Sequence, residues 1–359
     1  VSDSIDIGVL RDYQDRGLLQ SARHPVRDLT IWNYTQLCQH ECEWDSVTIA
    51  CRGLVTDSTG KVWARPFQKF FNLGEHEALG PSIPDEPFDV FEKIDGSLII
   101  IFMYKGKWVV ASRGSFVSGQ ADTVRCMLHA NYYAALRGLD PSYTYMFEVI
   151  YPGNRIVVDY GERQELVYLG MIETKTGVEQ FGIEPRGFPR ARKLEHTGGF
   201  RELPQQPNEE GYVIRFKSGL RLKIKNAEYL RLHRIVTQTS EKTIWEAMRD
   251  GVSMDEFLTG VPDEFYAWAK STHERLESQV EEVAYAAWNA LRDILIEDRT
   301  RREIAADIQR CPKILRAPMF AMLDGGSIRQ IILKSIKPQN GRPAFADIDE
   351  AENGRRQTS

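Results

Sequence analysis

Residues 91–104 read FEKIDGSLIIIFMY, a lysine set between a strand-like approach and an Asp-Gly turn, with an apolar run following at once. The run SLIIIFMY, then Lys105-Gly106, then KWVVASRG predicts a β-hairpin, because β-branched and aromatic residues flank a two-residue turn. Working outward, VTIACRGLVTD and KVWARPF around Ser-Thr-Gly predict another hairpin. YTYMFEVIY and ELVYLGMIE predict two single strands, and GYVIRFK-SG-LRLKIK a third hairpin. One helix is expected over GQADTVRCMLHANYYAALRG, closed by Gly138. The sum is antiparallel sheet with helices packed against it.

From Ser240 to about Lys337 the pattern turns helical. Capping boxes are expected at Ser253–Glu256 and Thr300–Glu303, where a glutamate three residues on reaches back to the cap. Phe265, Trp268, Leu276, Val280, Val283, Ala287, Leu291 and Ile294 recur at three- and four-residue steps and predict one long amphipathic helix. Ile328, Ile331, Ile332 and Ile336 predict a short last helix, and DIDEAENGRRQTS a loose polar tail. The expected domains are 1–238, 239–345 and a flexible tail at 346–359, with an added strand and helix within residues 1–45.

The chain has 359 residues and a formal net charge of −5, so a phosphate-rich partner must be met by a local basic patch rather than by the overall field. No run approaches the ~18 apolar residues of a membrane span, and VSDSIDIGVLRDYQDRG lacks the basic and apolar regions of a secretory signal. A cytoplasmic protein with no membrane partner is expected. Five cysteines spread over this length do not form a disulfide framework. Cys38, His40, Cys42 and Cys51 cluster, but C-x-H-x-C is not the usual zinc spacing; on a strand, alternate residues share a face through its period of two. Zinc ligation and reduced, half-buried cysteines both stand as readings, the second favoured.

A lysine attacks only when deprotonated, and its ordinary pKa is about 10.4. Desolvation and neighbouring cations favour the neutral amine, and Arg52, Lys69, Arg113, Lys223 and Lys225 fall near candidate strand ends. In LRLKIK, the cations Arg221, Lys223 and Lys225 share one face and Leu220, Leu222 and Ile224 the other. That face is either a solvated edge or a phosphate cradle, a task suited to lysine as a point charge. Glu148 lies within the apolar strand YMFEVIY, and Glu210 opens EGYV. A charge in such a strand is costly unless paired or functional. Each feature alone is ordinary; their order, K-x-D-G, FEV, EGYV, K-x-K, is not.

That order resembles the covalent nucleotidyltransferase superfamily, and more narrowly the RNA ligase 1 family, typified by the tRNA-repair ligase of T-even phages. The resemblance is carried by CRGLV (51–55), RPFQKFFNLGE (65–75), FEKIDGS (91–97), SRGS (112–115), FEVIYPGNRIV (147–157), EGYVIRF (210–216), KIK (223–225) and YLRLH (229–233). It covers residues 45–235. It implies an α+β fold: an antiparallel-sheet nucleotidyltransferase domain (ATP-grasp-like adenylylation) followed by an all-helical C-terminal domain, the candidate for RNA specificity. It implies that Lys93 attacks the α-phosphate of ATP to give lysyl-AMP, with Asp95 and Gly96 shaping the turn that presents it. Glu148 would hold the ribose. Glu210, alone or with Glu148, would bind Mg2+ or Mn2+, and Lys223 and Lys225 would grip the α-phosphate. Arg52 and Lys69 would orient the pyrophosphate, and Arg113 stands where the family more often has lysine. Phe70 and Phe71 belong to the same stretch, with core packing an equal reading. AMP would pass to an RNA 5′-phosphate and be displaced by an RNA 3′-hydroxyl, nicked tRNA being one such RNA. A monomer in a bacterial or phage-infected cell is implied. RGFPRARK at 186–193 offers a basic route for RNA, with Arg186, Arg190, Arg192 and Lys193 around an aromatic, or else a solvated loop. The alternatives are a DNA ligase or capping enzyme, which would continue with an all-β OB domain, and a non-catalytic RNA-binding relative.

Overall fold

A computed structural model describes residues 3–196, 198–254, 263–295 and 299–338. Two compact units divide it, Val1–His233 and Arg234–Ala346.

The first unit contains α1 (Ile7–Asp15), β1 (Leu19–Arg23), β2 (Thr30–Tyr34), α2 (Gln36–His40), α3 (Ser46–Ala50), β3 (Arg52–Thr56), β4 (Val62–Ala64), β5 (Phe71–Asn72) and α4 (Leu73–Leu79). It continues with β6 (Phe88–Glu92), β7 (Ser97–Tyr104), β8 (Lys107–Ser112), α5 (Gly119–Ala130), α6 (Tyr133–Arg137), β9 (Tyr143–Ile150), β10 (Glu165–Glu173), β11 (Glu179–Gln180), β12 (Lys193–Leu194), β13 (Gly211–Phe216) and β14 (Arg221–Lys225). The strands form three sheets of order β1-β2-β3-β4, β11-β10-β9-β7-β8 and β12-β6-β13-β14-β5. Pairing is antiparallel except for the edge strand β5, parallel to β14.

The run SLIIIFMY is apolar throughout because its sheet is covered on both faces. Ile99 and Ile101 pack with Phe147, Val149 and the α5 residues Val124 and Leu128. Ile100 and Phe102 pack with Ile31, Val55 and Ala64 of the first sheet. The expected Lys105-Gly106 turn joins β7 to β8, with both residues at positive φ (46° and 79°), as a type I′ turn requires. In the third sheet, Val90, Ile214, Phe216 and Leu222 form the buried face.

Four local expectations are corrected. VTIA is helix α3 rather than strand: the Asp45 carboxylate accepts from the Val47 and Thr48 amides, and the Thr48 hydroxyl accepts from the Asp45 amide, a capping box stronger than the β-preference of three branched residues. The segment Cys38-x-His40 is likewise helical, in α2. Cys38 and Cys51 are buried, Cys42 is exposed and all five thiols are free. Among the described residues, no group of three or more His, Cys, Asp or Glu could hold a metal. The helix expected over 119–138 is two, α5 and α6, because α5 ends on Asn131 and the chain turns before Tyr133. Residues before 45 supply two helices and two strands paired into the first sheet, more than an added strand and helix.

Helix α7 (Ala227–Gln238) carries the division between the units. Beyond it lie α8 (Glu241–Asp250), α9 (Asp263–Ile294), α10 (Arg301–Ile308), α11 (Lys313–Leu323) and α12 (Arg329–Ser335), with no strand among the described residues. The long helix is α9, and Ala287 and Leu291 on it pack with Ile304, Ile308 and Met319. The box at Thr300–Glu303 forms as expected. Asp255 and Glu256 of the Ser253–Glu256 box, the side chain of Phe265 and the 346–359 tail lie outside the described residues. Among the described residues, no helix is long and apolar enough to cross a membrane.

Candidate active site

The cavity-facing side of the third sheet follows from strand register. Lys225 is paired with Gly211, Lys223 with Val213 and Arg221 with Arg215, while Val213 and Arg215 face Phe91 and Asp89 of β6. The second sheet stands opposite and contributes Leu98, Glu148 and Leu169. Between them is a cavity of about 770 Å³. Eight of the ten residues singled out in the sequence line it: Arg52, Lys69, Lys93, Gly96, Arg113, Glu148, Lys223 and Lys225. The other two, Asp95 and Glu210, are buried behind it, 2% and 1% exposed.

Lys93 follows the end of β6. Its amide donates to the Gly211 carbonyl at 2.9 Å, so the segment stays attached to β13 as it leaves the sheet. Its ammonium donates to Glu210 Oε2 at 2.6 Å, and Lys225 Nζ lies 2.9 Å from Glu210 Oε1. One buried carboxylate therefore ties the two lysines together, across 117 residues of sequence in the case of Lys93. Gly211 holds this geometry at φ 140°, with the Ile224 carbonyl so close that a Cβ would lie 2.0 Å from its oxygen.

Asp95 secures the other side of the turn. Its Oδ2 accepts from the amides of Val157 and Val158, each at 2.9 Å, and its Oδ1 from the Tyr229 hydroxyl at 2.7 Å. Burial, and then the charge of Glu210, push its carboxyl up to about 6. Gly96 lies against the strand that carries Glu148: a Cβ there would meet the Val149 carbonyl oxygen at 2.5 Å and Glu148 Cγ at 3.1 Å.

The cations converge on Lys223. Burial, followed by the charges of Lys69, Arg52, Lys93 and Lys225, holds its ammonium well below the ordinary lysine range. A site that crowds positive charge this way is built for an anion, whose arrival reverses the balance. The Lys69 ammonium sits 5.0 to 5.3 Å from the ring centres of Trp44, Phe71 and Tyr34, in an aromatic cage. Phe70 lies against both Arg52 (5.6 Å) and Lys223 (5.0 Å), so it is a wall of the site. Arg113 is buried, its Nη1 3.4 Å from the Tyr34 hydroxyl. Arg221, the third cation of β14, is instead locked to Glu179 by two hydrogen bonds, one of 2.7 Å.

Sequence reasoning gave no role to Tyr34, Trp44, Tyr229 or Tyr160, whose hydroxyl accepts from the Asp95 amide at 2.8 Å, since aromatic residues carry no local mark of what they will surround. The RGFPRARK stretch is divided rather than forming one basic route. Phe188 is in the core, stacked on Tyr132, and unavailable to RNA. Arg190 pairs with Glu184, Arg192 with Glu92 and Glu209, and Lys193 with Asp89. Arg190 and Lys193 still line the cavity, and Arg186 is exposed.

A family model described as RNA ligase matches residues 50–229. A protein of Autographa californica nuclear polyhedrosis virus, named as a bifunctional polynucleotide kinase/RNA ligase, is 30% identical over 299 residues, 73% of this chain and 42% of that protein. One of Thermovibrio ammonificans, named as an RNA ligase, is 32% identical over 199 residues, 51% of this chain and 52% of that protein. The chain thus spans about half the length of these curated relatives. Among solved structures, a protein named as an ATP-dependent DNA ligase of Aquifex aeolicus aligns at 16% identity and a TM-score of 0.43, over 90% of this chain and all of that one. With residues 50–229 matched, half of its length, the chain belongs to the RNA ligase family.

Proposed function

We propose that the protein is an ATP-dependent RNA ligase that seals an RNA 5′-phosphate to a 3′-hydroxyl through a lysyl-AMP at Lys93. The observation that carries this reading is the placement of Lys93, at the lip of a cavity whose other lysines converge and whose buried carboxylate, Glu210, holds its ammonium at 2.6 Å.

The chemistry follows from those positions. Lys93 Nζ must shed a proton, and Glu210 Oε2 is the carboxylate oxygen in contact with it. The amine then forms an N–P bond to the α-phosphorus of ATP, the bond to the bridging oxygen breaks, and pyrophosphate leaves. Lys223 and Lys225 stabilise charge growing on the α-phosphate, the electrostatic role that dominates phosphoryl transfer. Arg52, Lys69 and Arg113 line the same cavity and would meet the departing phosphates, and Glu148, which lines it from β9, would hold the ribose. An RNA 5′-phosphate oxygen next takes the AMP from Lys93, and a 3′-hydroxyl displaces AMP to close the strand.

A divalent ion fits these residues. Ammonium groups at 2.6 and 2.9 Å already occupy cation positions on Glu210, and magnesium or manganese asks for only one or two carboxylates beside water and phosphate oxygens. Glu210, with Glu148, would hold it, and it would supply neutralisation of phosphate charge. The substrate proposed is a broken RNA such as a nicked tRNA, and the protein acts as a cytoplasmic monomer.

Intact-mass measurement after incubation with ATP and magnesium is the test. The wild type is expected to gain one AMP and Lys93→Ala none. An unshifted wild type, or an equal shift in the variant, would sink the mechanism. Sealing of DNA strands alone, with RNA strands left open, would replace the RNA-ligase reading with the DNA-ligase alternative.

A further inference from the structure

The cavity has a rim that the adenylylation chemistry leaves unused. The segment after β11 exposes Phe181 (45%) and Ile183 (63%), and both line the mouth. Large apolar side chains beside an assembly of cations do not serve solubility. Beneath them, the Arg215 guanidinium lies 4.6 Å from the Phe181 ring centre and 4.7 Å from that of Phe91. Asp89 fixes Arg215 at 2.6 Å, so the guanidinium against these rings is held in place before any ligand arrives.

Register locates the stack. Arg215 and Val213 are two residues apart on β13, and Val213 pairs with Lys223; the rim therefore begins about 7 Å along the strand from Lys223. A nucleobase held inside the cavity would meet Leu98, Leu169 and Val213, whereas Phe181 and Ile183 face outward. An open aromatic ring, backed by guanidinium and a short step from phosphate-binding lysines, matches the chemistry of a single-stranded nucleic-acid platform.

We infer that Phe181, backed by Arg215 and flanked by Ile183, is the platform on which a base of the RNA strand stacks as its end enters the cavity. The inference rests on the RNA-ligase reading and adds the residue that orients the second substrate.

The experiment compares wild type, Phe181→Ala and Phe181→Tyr, using a 5′-phosphorylated single-stranded RNA with a 3′-hydroxyl. Phe181→Ala is expected to raise the KM for RNA in sealing by about 5- to 100-fold, while lysyl-AMP formation from ATP keeps its wild-type rate. Phe181→Tyr, which preserves the ring, is expected to restore the KM. An unchanged KM in Phe181→Ala, or an equal loss in lysyl-AMP formation, would overturn the platform. Failure of the wild type to form lysyl-AMP would overturn the ligase reading instead. Fluorescence anisotropy of the same RNA would then decide the platform separately, an affinity equal in wild type and Phe181→Ala ruling it out.

Discussion

The two units handle charge in opposite ways. In the helical unit the ion pairs Arg249–Asp250, Arg275–Glu241 and Arg329–Glu277 all keep substantial exposure, and its core is built from Ala287, Leu291, Ile304, Ile308 and Met319. Pairs of this kind add little to stability, typically below about 1 kcal/mol. In the first unit Glu210, Asp95 and Arg113 are buried and Lys223 is crowded by four other cations. Stability alone would replace such groups with apolar ones. Their retention in one unit, while the described buried residues of the other include no charged side chain, marks where the chain sacrifices stability for chemistry.

The most severe way to break that contrast is Glu210→Gln. It leaves Lys93 and Lys225 partly buried without their shared carboxylate, and removing one partner of a buried pair costs about 3–5 kcal/mol. Urea unfolding should show a loss of that order, and lysyl-AMP formation should fall by at least about 100-fold. A variant as stable as wild type would mean that the carboxylate is not what balances the two lysines.

Lys223→Met should separate stability from function. Adenylylation falls by about 100-fold or more, yet the fold is as stable as wild type or more so, because a cation is removed from among cations. The sign with pH is fixed. The folded-state pKa lies below the ordinary value of about 10.4, so in the interval between them the unfolded chain binds more protons. Wild-type stability thus gains from Lys223 as pH rises toward 10.4, and the variant loses that gain. Parallel unfolding midpoints of the two proteins from neutral to alkaline pH would refute the cationic crowding.

The mildest effect belongs to the helical unit. Thr300→Ala removes a capping box and should cost about 1 kcal/mol, read as faster amide exchange in α10, with lysyl-AMP formation unchanged.

The sequence revealed the site's charges better than its surroundings. Alternation in LRLKIK placed Lys223 and Lys225 on one face, and the Lys-Gly turn placed β7 against β8, because both depend on spacing within one strand or hairpin. The bond from Lys93 to Glu210 and the Lys69 cage depend on residues distant in the chain and leave no local periodicity. The errors were local conflicts that capping or tertiary packing decided. Asp45 and Thr48 made a helix of branched residues, and Phe188, amid basic neighbours that suggested a surface loop, found Tyr132 in the core.

The first sheet has a practical consequence for anyone dividing this protein. The family model matches from residue 50, but the cavity wall begins at Tyr34, and Trp44 helps to enclose Lys69. Arg52 itself is carried on β3, whose neighbour β2 ends at Tyr34. A clone trimmed to the matched segment would retain every charged residue assigned to the chemistry while losing the scaffold that aims two of them. Such a fragment would look complete in an alignment and fail at the bench.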